Sequence, residues 1–211
     1  MLTVALTGGI AAGKSVVARV FEARGCVLFR ADEVARRLID PGGPAVRPLI
    51  ERFGQDIAGP DGGVDRQKLA AIVFGDPAGR ADVNRVVHPL VEKARRAEVA
   101  RLEAEGRTEV FVSEAALTIE AGLEKGFDKV VVVWCPADLQ IARLMGRDGL
   151  GREEACRRMA AQMPSEDKLR YADYVVDASG SLERTLAQAE AVYAKLLEDA
   201  AAKKKGKRVR P

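Results

Sequence analysis

A single histidine and three cysteines, Cys26, Cys135 and Cys156, set the first limits on what this chain can do. One histidine is too few for a histidine-built zinc centre. The cysteines are widely spaced with no CxxC pair, and Cys26 and Cys135 sit in apolar, strand-like runs, so they read as buried thiols rather than redox or metal ligands. No apolar run approaches the roughly 20 residues of a membrane-spanning helix. The N-terminus lacks the basic, apolar and small-residue succession of a secretory leader, so a cytoplasmic protein with no membrane partner is expected. An Asn-Lys-x-Asp motif for reading guanine is missing too, which argues against a GTP-driven switch.

A basic body is also lacking. The formal charge of +3 comes from the last nine residues, where Lys203, Lys204, Lys205, Lys207, Arg208 and Arg210 are all positive. Without them the rest is acidic by about three charges, so nucleic acid is not an expected partner. Residues 201–211 are expected to form a disordered basic tail.

What is present is a soluble globular balance, 47% hydrophobic and 31% charged residues in 211. That length suits one domain, with room for an inserted subdomain. Near its start stands Gly8-Gly9-Ile10-Ala11-Ala12-Gly13-Lys14-Ser15, the Gly-x4-Gly-Lys-Ser pattern of a phosphate-binding loop. Leu2 to Leu6 before it reads as a buried strand, and Val16, Val17, Val20 and Phe21 after it recur at helical spacing. The glycines let successive N–H groups turn inward around a polyphosphate. The following helix adds its partly positive end, Lys14 a mobile cation, and Ser15 a hydroxyl for Mg²⁺.

Further along, Cys26 to Phe29 reads as a second strand ending at Arg30-Ala31-Asp32, with Asp32 placed to cap the next helix. From Ala45 to about Gly106 no β-branched run appears, and the segment reads as helical, with a helix junction at His88-Pro89. Strand character returns at Val110 to Val112, Lys129 to Cys135 and Tyr174 to Val176. Between the last two, Arg152 to Met163 reads as a basic helix after a Gly149-Leu150-Gly151 hinge. A closing helix runs from Ser181 to about Glu198. Strands alternating with helices imply a parallel sheet covered on both faces.

Several residues could carry chemistry. Asp32 stands where a carboxylate could orient a substrate hydroxyl and take its proton, or simply cap a helix. Arg143, Arg147 and Arg152 could reach a transferring phosphoryl group or form a solvated basic face. His88 could be structural or touch ligand. Glu114 and Glu120 flank the end of the third strand, where Glu114 could bind metal through water or lie on the surface.

With these residues in view, residues 2–197 resemble the dephospho-coenzyme A kinase family. The resemblance rests on Leu6-Thr7-Gly8-Gly9-Ile10 with Gly13-Lys14-Ser15, and on Phe53-Gly54, Leu69, Val73-Phe74 and His88-Pro89. It continues through Leu117, Glu120 and Gly122, then Arg143, Arg147-Asp148, Gln162 and Asp173 to Gly180. It implies an α/β P-loop NTPase fold of three layers, with a central parallel sheet of about five strands. One kinase domain would cover residues 1–200, its core at 1–40 and 107–200, a helical substrate-binding insertion at about 41–106 and a lid at about 143–170. The implied reaction is transfer of the ATP γ-phosphate to the ribose 3′-hydroxyl of dephospho-CoA by a monomer or weak oligomer. Carried over by position, Lys14, Asp32, Arg143 and Arg147 are catalytic. Gly8, Gly9, Ile10, Ala11, Ala12, Gly13, Lys14, Ser15 and Val16 bind phosphates, with Asp177, Ser179 and Gly180 near the adenine. Asp32, Phe74, His88 and Leu117 contact substrate, and Ser15 holds Mg²⁺.

The chain departs from the family pattern in three places. Arg30-Ala31-Asp32 stands where Asp-Ala-Asp is frequent, so only the second aspartate carries over. Ala11-Ala12 replaces a common Gly-Ser, which keeps the backbone donors and constrains the loop. Ala116 and Thr118 replace a common Pro and Leu. The nearest rival is a P-loop kinase for another small alcohol, such as a nucleoside, a nucleotide or a shikimate-like compound.

Overall fold

The computed structural model describes residues 1–73 and 76–206; Phe74 and the basic residues from 207 onward lie outside the described residues. The chain divides into two compact units, one formed by Met1–Phe29 with the chain from Leu102 onward, the other by Arg30–Arg101.

The sheet has five strands, β1 (Leu2–Gly8), β2 (Val27–Arg30), β3 (Val110–Glu114), β4 (Lys129–Trp134) and β5 (Tyr174–Asp177), in the order β2-β3-β1-β4-β5. β1 pairs in parallel with β3, Leu2 opposite Val110, and with β4, Gly8 opposite Val133; β4 pairs in parallel with β5. Burial on both faces explains the run of Val130 to Val133, all fully inaccessible. On one face Leu2, Val4, Leu6, Val131 and Val133 pack with Phe21 of α1 (Lys14–Ala23) and with helix residues Val192 and Leu196. On the other, Ala5, Val130 and Val132 pack with Ile119, Phe127, Leu169 and Tyr171. The alternation is the period-two pattern of a strand. From β1 the chain moves outward to β2 and β3, and β4 returns to the opposite side of β1. The loop after β1 therefore opens at the point where strand order reverses, where parallel sheets leave a crevice at their C-terminal ends.

The second unit is helical: α2 (Ala31–Leu38), α3 (Val46–Phe53), α4 (Arg66–Val73) and most of α5 (Pro77–Glu105). Its core is Ala45, Val46, Leu49, Ile57, Val64, Leu69 and Val87. Asp65 caps α4, its Oδ1 accepting from the N–H groups of Gln67 at 3.0 Å and Lys68 at 3.1 Å. Two local expectations fail here. Asp32 does not cap α2: the helix starts at once after β2, Arg30 takes the cap position, and Asp32 lies in the first turn. His88-Pro89 is not a junction but lies inside α5, where the absent proline N–H forfeits one bond of a 29-residue helix.

In the first unit the remaining helices are α6 (Ala137–Asp148), α7 (Arg152–Ala160), α8 (Ser165–Lys168) and α9 (Leu182–Lys204). α7 stops at Ala160, short of the expected Met163, because Pro164 disfavours helical angles just before it. The stretch expected to act as a lid is not uniform. Its far end is anchored, with Lys168 fully buried and its ammonium 2.8 Å from both Glu120 Oε1 and the Ala116 carbonyl. Glu120 Oε1 also accepts the Met163 N–H at 3.0 Å.

α9 runs past the expected end near Glu198 and past 201, where the tail was expected to begin, because Ala200 to Ala202 favour helix and Ala200 is buried. Lys203 and Lys204 are consequently paired rather than loose, to Asp128 at 2.6 Å and Glu109 at 2.9 Å. Asp128 Oδ2 also accepts from the Thr3 N–H and hydroxyl, both at 2.7 Å. Burial works to raise the Asp128 carboxyl, but the bonds from Lys203 and Thr3 outweigh it and hold the group below its ordinary range. A depressed carboxyl contributes its stability above the unfolded value of about 3.9 and loses it as pH falls through the lower folded value.

Asp128→Ala should therefore cost about 2 kcal/mol at neutral pH, lowering the melting temperature by roughly 4–8 °C. Melts repeated at successively more acidic pH should show the gap to the parent protein narrowing as pH falls below the ordinary carboxyl range and through the depressed folded value, where the parent loses the charge as well. Lys168→Ala, which strips Glu120 of its cation, should lower stability by about 2–4 kcal/mol in urea titrations.

Candidate active site

The loop between β1 and α1 owes its path to close backbone approaches. Gly8 has φ 149°, and a Cβ there would stand 2.2 Å from the Val133 carbonyl oxygen. A Cβ on Gly9 would lie 2.3 Å from both Gln140 Oε1 and Ser165 Oγ. Gly13, with φ 105°, gives the left-handed turn from which α1 starts. Ala11 is the one described non-glycine residue with positive φ, at 57°. That conformation costs an L-residue with a Cβ about 1–2 kcal/mol. Ala12 is buried, and its N–H bonds back to the Gly9 carbonyl at 3.2 Å.

α1 starts directly from the loop at Lys14, and the N-terminus of a helix, with its partly positive end, is an arrangement that binds anions. Lys14 folds across the loop, its ammonium donating to the Gly8 and Gly9 carbonyls, each at 3.0 Å. Ser15 is exposed on the first turn and Val16 half-buried behind it.

Arg143 of α6 is brought to the same place. Its Nη1 lies 4.0 Å from where a Gly13 Cβ would be, and its Nη2 donates to the Ala178 carbonyl at 2.8 Å. Cys135 Sγ, 3.6 Å from Nη1, completes its surroundings, and burial raises that thiol above its ordinary value. Ala178 in turn sits 3.5 Å from the same Gly13 position, so the segment after β5 borders the loop. There Asp177 Oδ1 accepts the Ser179 N–H at 2.9 Å, and the Ser179 bonds hold the carboxyl below its ordinary range. Ser179 and Gly180 are exposed.

Arg147 is engaged differently, with Nε 2.7 Å and Nη2 3.0 Å from the carboxylate of its neighbour Asp148. Arg152 pairs with Asp138 at 3.3 Å on the surface. Leu117 is 38% exposed in the segment after β3, beside Ala116, whose carbonyl accepts from Thr7 Oγ1 at 3.2 Å. Glu114 ends β3 opposite Leu6, and Glu120 is committed to Lys168. Asp32 and His88 belong to the second unit. Asp32 is exposed on α2; His88 is half-buried on α5, and burial lowers its imidazole below the ordinary value.

Behind the loop, Gln140 and Ser165 escape a reading by sequence pattern, and Gln162, which carries part of the family resemblance, gives no sign there of its partner. Gln140 is buried and donates to the Cys135 carbonyl at 2.8 Å and to Ser165 Oγ at 2.7 Å, forming the wall against which Gly9 fits. Gln162 reaches the loop itself, its Oε1 accepting the Ile10 N–H at 3.0 Å.

Residues 2–184 match the family model described as dephospho-CoA kinase. A dephospho-CoA kinase of Anaeromyxobacter dehalogenans is 44% identical over 93% of this chain and 92% of its own length. Among solved structures, dephospho-CoA kinase from Campylobacter jejuni superposes with a TM-score of 0.69 at 25% identity, covering 93% of this chain and 97% of that one. Shikimate kinase from Acinetobacter baumannii, at 18% identity and TM-score 0.52 over 94% of each chain, shares the fold alone. With the family model spanning most of the chain, and a relative this similar across nearly its whole length, the chain belongs to the dephospho-CoA kinase family.

Proposed function

We propose that the protein transfers the γ-phosphate of ATP to the ribose 3′-hydroxyl of dephospho-CoA in the cytoplasm, giving coenzyme A and ADP in the last step of coenzyme A biosynthesis. The observation that carries this reading is the phosphate loop with Lys14 folded across it and Arg143 at its side, in a chain of this family.

ATP lays its polyphosphate along Gly8 to Val16, facing the positive end of α1. Lys14 exchanges the Gly8 and Gly9 carbonyls for the outer phosphates. Asp177, Ser179 and Gly180 border the adenine. The Ser15 hydroxyl is a hard oxygen donor of the kind Mg²⁺ takes and would hold the ion, which would offset phosphate charge. Phe74, His88 and Leu117, carried over from the family pattern, contact dephospho-CoA. Asp32 orients the 3′-hydroxyl and accepts its proton. A carboxylate is a weak base for an alcohol, so its placement matters more than its basicity. α7, between the Gly149-Leu150-Gly151 hinge and the anchored stretch that ends at Lys168, serves as the lid and keeps water from competing for the phosphate.

The direct test supplies ATP and Mg²⁺ with dephospho-CoA, nucleoside monophosphates, adenosine and shikimate, and identifies the product by mass. Phosphate should appear on dephospho-CoA; transfer only to another acceptor would overturn the substrate assignment. Lys14→Ala should cut kcat about 100-fold or more with an unchanged circular dichroism spectrum. Asp32→Asn should lower kcat by about 10²- to 10⁴-fold while ATP binding persists. Arg143→Ala should cost more in kcat than Arg147→Ala, because Arg143 stands beside Gly13 while the Arg147 guanidinium is bonded to Asp148.

A further inference from the structure

We propose that Gln162 is a positioning residue for the phosphate loop, bracing it in its nucleotide-binding conformation from the lid side; the inference rests on the kinase reading of that loop.

The loop is not self-sufficient. Ala11 holds a left-handed conformation that an alanine populates poorly on its own, so contacts from outside the loop must maintain it. Such contacts reach Ile10 and Ala11 from α6 and α7. Ile10 and Ala11 pack on the apolar cluster of Ile141, Leu144 and Ala155, to which Met159 also belongs. Immediately after α7, Gln162 turns its carboxamide oxygen onto the Ile10 N–H at 3.0 Å. The bond ties the segment following α7 to the loop's own backbone, and it falls beside the strained residue.

The brace is anchored at its base. The Gln162 N–H bonds to the Met159 carbonyl at 3.0 Å, and the next residue, Met163, donates to Glu120 Oε1 at 3.0 Å. Glu120 is fixed by the buried Lys168, and Ser165 by Gln140. A side chain so supported can hold a backbone group in place, whereas a surface glutamine would lose too much rotamer freedom to do so. Losing the acceptor should let Ala11 relax toward right-handed or extended angles. Nucleotide affinity then falls in proportion to the competent fraction that remains.

The idea predicts a rescue that a merely structural role for Gln162 would not give. Gln162→Met keeps the side chain's length and removes the acceptor. Glycine at position 11 enters the left-handed region without penalty, so Ala11→Gly should restore what Gln162→Met takes away. The experiment measures ADP binding with Mg²⁺ by calorimetry for the full chain, Gln162→Met, Ala11→Gly and the double variant. Amide exchange of the ligand-free peptide over residues 6–14 is followed in parallel. Gln162→Met should weaken ADP about tenfold and speed exchange in that peptide, and the double variant should recover to within about twofold of the parent. Unchanged ADP affinity in Gln162→Met, or a loss that Ala11→Gly does not repair, would overturn the proposal. Should Gln162→Met prove unfolded by its melting curve, Gln162→Ala replaces it, and failure of both to fold would also overturn a brace confined to the loop. An unsubstituted protein that binds no ADP would instead sink the nucleotide assignment, which keeps the two failures apart.

Discussion

The contact between the Gly8 backbone and the Val133 carbonyl is the constraint on which the site depends. β1 and β4 lie side by side up to the last residue of β1, and any side chain at Gly8 would collide with the neighbouring strand. Because the chain leaves β1 so close to β4, the turn that follows has little freedom. It passes Gly9 against Gln140 and Ser165, crosses the strained Ala11, and enters α1 through Gly13. The anion-binding concavity is thus a product of sheet packing as much as of loop sequence.

Around that turn the chain spends polar side chains on backbone rather than on solvent. Gln140, Ser165, Gln162, Lys168 and Glu120 all bond to main-chain atoms or to one another within the first unit. Each satisfies a group that burial would otherwise penalise, and together they fix segments remote in sequence around one short loop. Arg143 is held by the Ala178 carbonyl in the same manner, which leaves its charge beside Gly13 without a carboxylate partner among the bonds described.

The sheet, the loop and the helical character of residues 31–101 were legible in the sequence because each depends on local pattern: Val130 to Val133 as a doubly buried strand, glycines at fixed spacing, apolar residues at helical period. Other features were decided by tertiary context. Asp32 looked like a cap because nothing local reveals that β2 passes into α2 without a connecting residue. Pro89 looked like a boundary, yet a long helix with flanking packed residues tolerates one missing bond. α9 was judged too short because lysines near a terminus read as solvated, while Asp128 and Glu109, which receive them, lie far away in the chain. The glutamines behind the loop were illegible as a brace for the same reason: a carboxamide declares no partner until the fold supplies one.

The meeting of Thr3 and Lys203 on Asp128 also bears on how the protein is made. β1, which carries the phosphate loop, leaves the ribosome well before α9, the helix fastened at its base. Contacts this distant in sequence close late and impose slow, cooperative completion. Until α9 emerges, the hydrophobic face of the nucleotide-binding strand, which includes Leu2, Val4 and Leu6, lacks the cover of Val192 and Leu196. The emerging chain is therefore most exposed to misassociation through the same strand that later presents the loop to its ligand.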